Sequence, residues 1–192
     1  MSNVVQDLFS NESVRVALFR IRYLVGPLLL IPLGYFMRPE RFWVGFLVSM
    51  FGQVIQTWCF ATLVKNRELT ARGPYLLSRN PMYLGRYFML LGFVILLSNV
   101  WVAVAYTVLY YLYMDTRIKR EERRLRRVFT EEYEEYCREV PRLFPSLRKA
   151  HEPSLWYWDW APFLENNAHW NILGTLAAYG AAYLVWWLLR GS

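Results

Sequence analysis

Cysteine and histidine are scarce in this chain of 192 residues, with two of each. Cys59 lies in an apolar stretch and Cys137 in a charged one, which argues against a disulfide between them. His151 and His169 stand 18 residues apart with no cysteine beside either, so no metal-ligand pattern is present. A leader-type cleavage site is also lacking. Arg15, Arg20 and Arg22 precede the first apolar block, yet no small-residue cleavage site follows. That block is expected to stay as a membrane anchor. Acidic residues number 15 against 22 Lys and Arg, a net charge of +7. A basic chain can bind nucleic acid, but these charges sit beside apolar spans, where the positive-inside bias accounts for them. Neither a nucleic-acid partner nor a metal is expected.

What the chain has in excess is hydrocarbon. Hydrophobic residues make up 56% and aromatics 18%, gathered in blocks, which is the pattern of a polytopic membrane protein. The expected fold is an all-α integral membrane protein of about five transmembrane helices with a central helical hairpin, plus a cytoplasmic amphipathic helix. At this length one domain is expected over 1–192, with a core motif region at 71–147 and an aromatic segment and extra span at 151–192.

Along the chain, Met1 to Ser13 suits an interfacial amphipathic helix. Spans are expected at Leu18 to Met37, which carries Pro27 and Pro32, and at Phe42 to Val64. After a polar loop from Lys65 to Pro81, Tyr83 to Met114 is nearly all apolar. As one helix it would run about 48 Å, too long for a hydrocarbon core of about 30 Å. Ser98-Asn99 offers a turn, and charge favours using it. With a hairpin, three basic residues near the N-terminus, five from Lys65 to Arg86 and eleven from Arg117 to Lys149 share one side. Only Arg38, Arg41 and Arg190 lie opposite, so 19 of 22 fall on the side expected to be cytoplasmic.

Arg117 to Val140 has apolar residues at three- and four-residue steps and is expected to be helical. Thr130, followed by Glu131 and Glu132, marks a break and a new helix start. Pro141 and Pro145 end the element. His151 to Trp170 holds Trp156, Trp158, Trp160 and Trp170, a membrane-interface composition. A last span follows from Ile172 to Leu189, where Gly174, Ala178 and Ala182 form a small-residue stripe suited to close packing.

Polar residues at the feet of the hairpin could carry chemistry. Gly73-Pro74 marks a turn, and Asn80-Pro81 another that begins a helix. Arg79 and Asn80 at that helix start favour an anionic group, and Arg79 can clamp a carboxylate; from spacing alone a basic loop beside a proline-started helix is the simpler reading. Glu121 and Glu122 are adjacent on a helix, so one at most faces a given site, and the surrounding arginines can pair with them. Gln53 and Gln56 share one face of the second span and suit an interhelical hydrogen bond or a polar cavity lining. Arg86 sits one turn into the third span and either snorkels or faces inward. Tyr133 and Tyr136 read most simply as packing on the membrane face.

Together these residues resemble the isoprenylcysteine carboxyl methyltransferase and phospholipid methyltransferase superfamily. Its first motif matches Gly73-Pro74-Tyr75 and Arg79-Asn80-Pro81-Met82-Tyr83-Leu84-Gly85. Its second matches Glu121-Glu122, Leu125, Phe129-Thr130, Tyr133, Tyr136, Val140-Pro141-Arg142 and Pro145. Two positions depart: Asn80 stands for the family His and Thr130 for the family Gly. The resemblance implies S-adenosylmethionine held at the cytoplasmic feet of the hairpin by Tyr75, Arg79, Asn80, Pro81, Tyr83, Leu84, Gly85, Glu121 and Glu122. Arg86 and Arg142 would orient the acceptor as the catalytic pair. The implied reaction is methyl transfer to a lipophilic acceptor, through the carboxyl or thiol of a lipid-like or prenylated substrate. A phospholipid amine is the alternative acceptor. An NADPH-dependent membrane reductase and a non-enzymatic membrane scaffold rank lower.

Overall fold

A computed structural model describes residues 28–64 and 68–190. The expected helix at Met1 to Ser13 and the part of the first span before residue 28 lie outside the described residues. Helix α1 covers 28–36. A 3-10 turn at Pro39–Arg41 leads into α2, Phe42–Thr62. A second 3-10 turn, Gly73–Leu76, precedes α3, Pro81–Ile95. Helix α4 runs from Val100 to Glu139. Turns at Leu147–Lys149 and Pro153–Trp156 lead to α5, Trp160–Glu165, and α6, Ala168–Arg190. Among the described residues all regular structure is helical.

The chain gathers into two compact units. In the smaller, built from 28–37 and 178–190 among the described residues, Gly34 lies against Val185, and the Arg190 guanidinium covers the Tyr35 ring at 4.6 Å. The larger, Arg38–Ala177, contains the hairpin and everything described below.

The hairpin turns where the sequence places it. Ser98 takes a left-handed φ of 50°, and the Asn99 side chain caps α4 by accepting from the backbone N–H groups of Trp101 (2.9 Å) and Val102 (3.3 Å). A tyrosine ladder then holds the two helices antiparallel. Tyr110 donates its hydroxyl to the Tyr83 carbonyl at 2.7 Å, and Tyr106 donates to the Tyr87 carbonyl at 2.9 Å. Tyr87 stacks on Tyr106 with ring centres 5.6 Å apart. An aromatic body suits an apolar surrounding only if its hydroxyl finds an acceptor, and here the facing backbone supplies one.

Helix α2 meets α3 backbone to backbone. Gly45 and Gly52 on one helix face Gly92 and Gly85 on the other, each pair seven residues apart. A Cβ on Gly92 would sit 2.1 Å from Ser49 Oγ and 2.3 Å from the Gly45 carbonyl oxygen; one on Gly52 would sit 2.3 Å from the Met89 nitrogen. Small residues let membrane helices approach this closely and gain packing contacts that lipid cannot match. Ser49 adds a hydrogen bond to the Met89 carbonyl at 2.6 Å. The expected stripe on α6 is met in part: Ala182 is fully buried with its carbonyl beside Gly34 in the smaller unit, while Gly174 is exposed, with nothing among the described residues near the place its Cβ would occupy. The buried face of α6 in the larger unit instead presents Thr175, which donates to Gln53 Oε1 at 2.8 Å, while Gln53 donates to Asn171 Oδ1 at 2.8 Å. The interhelical hydrogen bond expected of Gln53 is therefore present; Gln56 contacts the Met89 sulfur.

Helix α4 breaks at Thr130, as its sequence signals, with φ 29° and ψ −98°. The tryptophan-rich segment braces the end of α2. Trp156 stacks on Trp58, and Trp58 donates to the Tyr157 carbonyl at 3.2 Å. Asn166 donates to the carbonyls of Phe60 (2.9 Å) and Leu63 (2.8 Å), two acceptors at or beside the helix end.

Among the described residues, Pro39–Thr62 and Ala168–Arg190 are long and apolar enough to cross a membrane, and Pro81–Ile95 is apolar but shorter.

Two substitutions test the packing. Gly92→Ala should lower thermal stability in detergent by about 1–3 kcal/mol, because backbone and a buried hydroxyl cannot yield. Gly174→Ala should be neutral or stabilising by up to about 1 kcal/mol. At the break, Thr130→Gly should stabilise. A β-branched residue at that φ stores about 1–3 kcal/mol, and glycine's extra unfolded-state freedom offsets only about 0.5–1 kcal/mol of the relief. The midpoint of thermal unfolding reads all three.

Candidate functional site

The loop before α3 and the segment after α4 are zipped together by short polar contacts. The Arg79 N–H donates to the Pro141 carbonyl at 2.9 Å, and the Ser146 N–H donates to the Leu77 carbonyl at 2.8 Å. Ser78 donates its hydroxyl to the Leu143 carbonyl at 2.8 Å, and the Asn80 amide donates to the Arg142 carbonyl at 3.0 Å. Gly73 makes the loop's entry possible. Its φ is 59°, and a Cβ there would lie 2.7 Å from Thr62 Oγ1. Pro74 starts the buried turn Gly73–Leu76, and Tyr136 donates its hydroxyl to the Tyr75 carbonyl at 2.7 Å.

An ion network closes the junction. Glu122, with a side chain 13% exposed, accepts from Arg142 Nε at 3.3 Å and faces Arg79 Nη1 at 3.5 Å. Arg142 also donates to Asp115 at 2.8 Å, and Lys119 pairs with the same carboxylate at 2.6 Å. Hydrogen bonds from Lys119 and then Arg142 hold the Asp115 carboxyl below the ordinary aspartate range. Arg79 also contacts the Cys137 sulfur. Its Nε, in a side chain only 12% exposed, has no hydrogen-bond partner among the described residues. A buried guanidinium N–H without a partner is costly, and an anionic ligand group would satisfy it.

Beside this network lies a cavity of about 640 Å³, within the usual range for a small-molecule site of roughly 300–1,000 Å³. Tyr75, Arg79, Asn80, Tyr83, Arg86 and Glu121 all line it. Tyr83 donates to Glu121 Oε2 at 3.1 Å, across the hairpin. The wall thus carries a guanidinium with one unpartnered N–H, a carboxylate and several aromatic rings. Burial pushes the phenols of Tyr75 and Tyr136 well above their ordinary range, so both stay protonated and serve as donors rather than bases.

Not every expected residue reaches the cavity. Pro81 begins α3, and Gly85 faces α2, where a Cβ would meet Gln56 at 2.9 Å. Leu84, Glu122 and Arg142 are absent from the lining. Glu68 and Thr70 line the cavity and escaped the sequence reading, and Arg124, Leu125 and Phe129 line it without having been given a site role. Tyr133 and Tyr136 depart from the expected membrane-face packing. They are buried inward with Val140, against Leu69 and Phe129. The stripe Leu125, Phe129, Tyr133, Tyr136, Val140 was the available signal, since it continues the helix face that starts at Glu121.

A family model described as phospholipid methyltransferase matches residues 25–132. The cobalt-zinc-cadmium resistance protein CzcN of Cupriavidus metallidurans is 28% identical over 137 residues, covering 70% of this chain and 63% of its own. The protein-S-isoprenylcysteine O-methyltransferase of Xenopus laevis is 29% identical over 117 residues, covering 55% of this chain and 41% of its own. A probable protein-S-isoprenylcysteine O-methyltransferase of Oryza sativa is 30% identical over 110 residues, 51% of this chain and 58% of its own. The chain thus spans between about two-fifths and two-thirds of the length of these curated relatives. No solved structure gives a significant match. With more than half its length under the family model and the motif residues converging on one cavity, the chain belongs to the phospholipid methyltransferase family, membrane methyltransferases that use S-adenosylmethionine.

Proposed function

We propose that this chain is a multi-pass membrane enzyme that transfers a methyl group from S-adenosylmethionine to a lipophilic acceptor. The observation that carries the reading is Arg79. Its guanidinium is held by Glu122, lines the cavity and keeps one buried N–H unsatisfied. The residues present fit the donor: a cation for its carboxylate, a carboxylate for its ammonium or ribose hydroxyls, and aromatic walls for its base. When bound, the donor supplies an electrophilic methyl group on a sulfonium.

Each side chain then has a task. Arg79 clamps the donor carboxylate, and Glu121, held at the cavity wall by the Tyr83 hydroxyl, holds the ammonium or ribose end. Glu122 and Arg142 serve as positioning residues, because their contacts are with Arg79, with each other and with Asp115. Asn80 ties the loop to the Arg142 carbonyl through its amide. Tyr75 and Tyr83 shape the adenosine wall, and Pro81, Leu84 and Gly85 fix α3 beneath it. Arg86, with its guanidinium 5.9 Å from the Tyr83 ring centre, faces the cavity and orients an acceptor bearing negative charge. Alignment of this kind lowers a barrier by about 7–11 kcal/mol without covalent help from the protein. Five spans with the basic loops inside set the cofactor mouth on the cytoplasmic face.

A carboxyl or thiol acceptor is supported by the isoprenylcysteine relatives and by Arg86. An amine acceptor is supported by the description of the family model.

Calorimetry with S-adenosylhomocysteine on the detergent-purified chain tests the reading. Arg79→Ala and Glu121→Ala should each weaken binding at least tenfold, with thermal stability nearly kept for Glu121→Ala. Glu122→Gln should weaken binding too, and should cost roughly 2–4 kcal/mol of stability by leaving the buried Arg79 guanidinium without its carboxylate, while Arg142 keeps Asp115. Native lipid extract incubated with isotope-labelled donor should yield a labelled lipid bearing one added methyl. A native chain with no affinity for the donor product would end the proposal.

A further inference from the structure

Arg120, Arg123, Arg124 and Arg127 lie at steps of three and four on α4 and rim a second concavity of about 410 Å³, with Val128 in its wall. All four arginines are exposed. Among the described residues, Arg120, Arg123 and Arg127 have no carboxylate within ion-pair distance. The carboxylates on the same stretch are spent elsewhere: Glu121 meets Tyr83, and Glu122 meets Arg79 and Arg142. Like charges at these spacings repel one another. Three guanidiniums without a carboxylate, Arg120, Arg123 and Arg127, on one face of an ordered helix therefore point to a counter-ion from outside the chain.

The position of the cluster says which kind. Helix α4 continues without a break from the apolar hairpin through Met114 to Arg127. By helix rise Arg120 lies about 9 Å beyond Met114 and Arg127 about 20 Å, just past a headgroup layer of about 5–7 Å, so the run follows the apolar segment directly on its water side. Arginines directly after a membrane segment attract anionic lipid, and guanidiniums match phosphate oxygens in pairs. Val128, 59% exposed, adds apolar surface beside the charges. We infer that the Arg120–Arg123–Arg127 face, with Arg124, binds the phosphate of an anionic phospholipid headgroup. Arg124 and Val128 also line the larger cavity, so a lipid docked here adjoins the donor site. The inference rests on the membrane placement of α4, and not on the methyl-transfer reading.

The test titrates the full purified chain in detergent with dihexanoyl phosphatidylglycerol, dihexanoyl phosphatidylcholine and inorganic phosphate, read by calorimetry. Phosphatidylglycerol should bind at least tenfold more tightly than either other probe. The paired variant Arg123→Gln, Arg127→Gln should lose that preference by tenfold or more while S-adenosylhomocysteine affinity stays unchanged. Equal affinity for the two lipids would overturn the inference, and so would inorganic phosphate binding as tightly as the lipid, which would make the basin a free-anion site. A variant that keeps native lipid affinity, or that loses donor-product affinity along with it, would overturn it too. Should that variant fold poorly, a salt series on the native chain decides: affinity for phosphatidylglycerol should fall steadily with salt, and a flat response sinks the idea.

Discussion

Glu122 is the point on which the site depends. Its carboxylate sits between Arg79, from the loop before the hairpin, and Arg142, from the segment after it. Two pieces of chain more than sixty residues apart are thereby held to one carboxylate. Withdrawing the Arg79 guanidinium and the Glu122 carboxylate from bulk water is expensive, and such a pair is worth keeping only where geometry matters more than stability. Here the return is a fixed guanidinium at the cavity wall. The backbone zipper from Arg79 to Ser146 provides the rigid frame that keeps the charges from rearranging.

The membrane shapes the rest. Lipid tails offer no reason for helices to associate beyond fit and hydrogen bonding. The hairpin answers with tyrosine hydroxyls on facing carbonyls, and α2 and α3 answer with glycines. Gln53, Thr175 and Asn171 add a polar tie between α2 and α6. The tryptophan-rich segment closes the end of α2 through Asn166 and lays Tyr157 under the Arg72 guanidinium at 4.1 Å, just before the Gly73 turn. The aromatic tail thus supports the loop that carries the site.

Much of this was legible in sequence, for physical reasons that can be named. The Ser98-Asn99 turn showed because a single helix would overrun the hydrocarbon core. The Thr130 break showed because a capping residue was followed by acids. The pairing of the two motif segments showed only through the family resemblance, since neither spacing nor charge fixes which glutamate turns inward. The tyrosine ladder was invisible because Tyr87, Tyr106 and Tyr110 look like ordinary apolar filler. The packing of Gly45, Gly52, Gly85 and Gly92 went unread because a seven-residue step within apolar sequence does not reveal its partner helix. Gly174 misled for the same reason: small size permits close approach but does not cause it. Tyr133 and Tyr136 were turned the wrong way because periodicity identifies a face without saying what covers it.

The contact of α2 with α3 has a mechanical meaning. Where side chains separate two helices, a slide of an ångström is absorbed by rotamers. Backbone against backbone leaves no such cushion, and the glycines at Gly52 and Gly92 act as teeth in a fixed gear. Tyr83 and Arg86 ride on the same rigid helix, so their position in the cavity wall is set by α2 and not by whatever fills the cavity. Any adaptation to ligands of different length must come from the other wall, where the helix bends at Thr130.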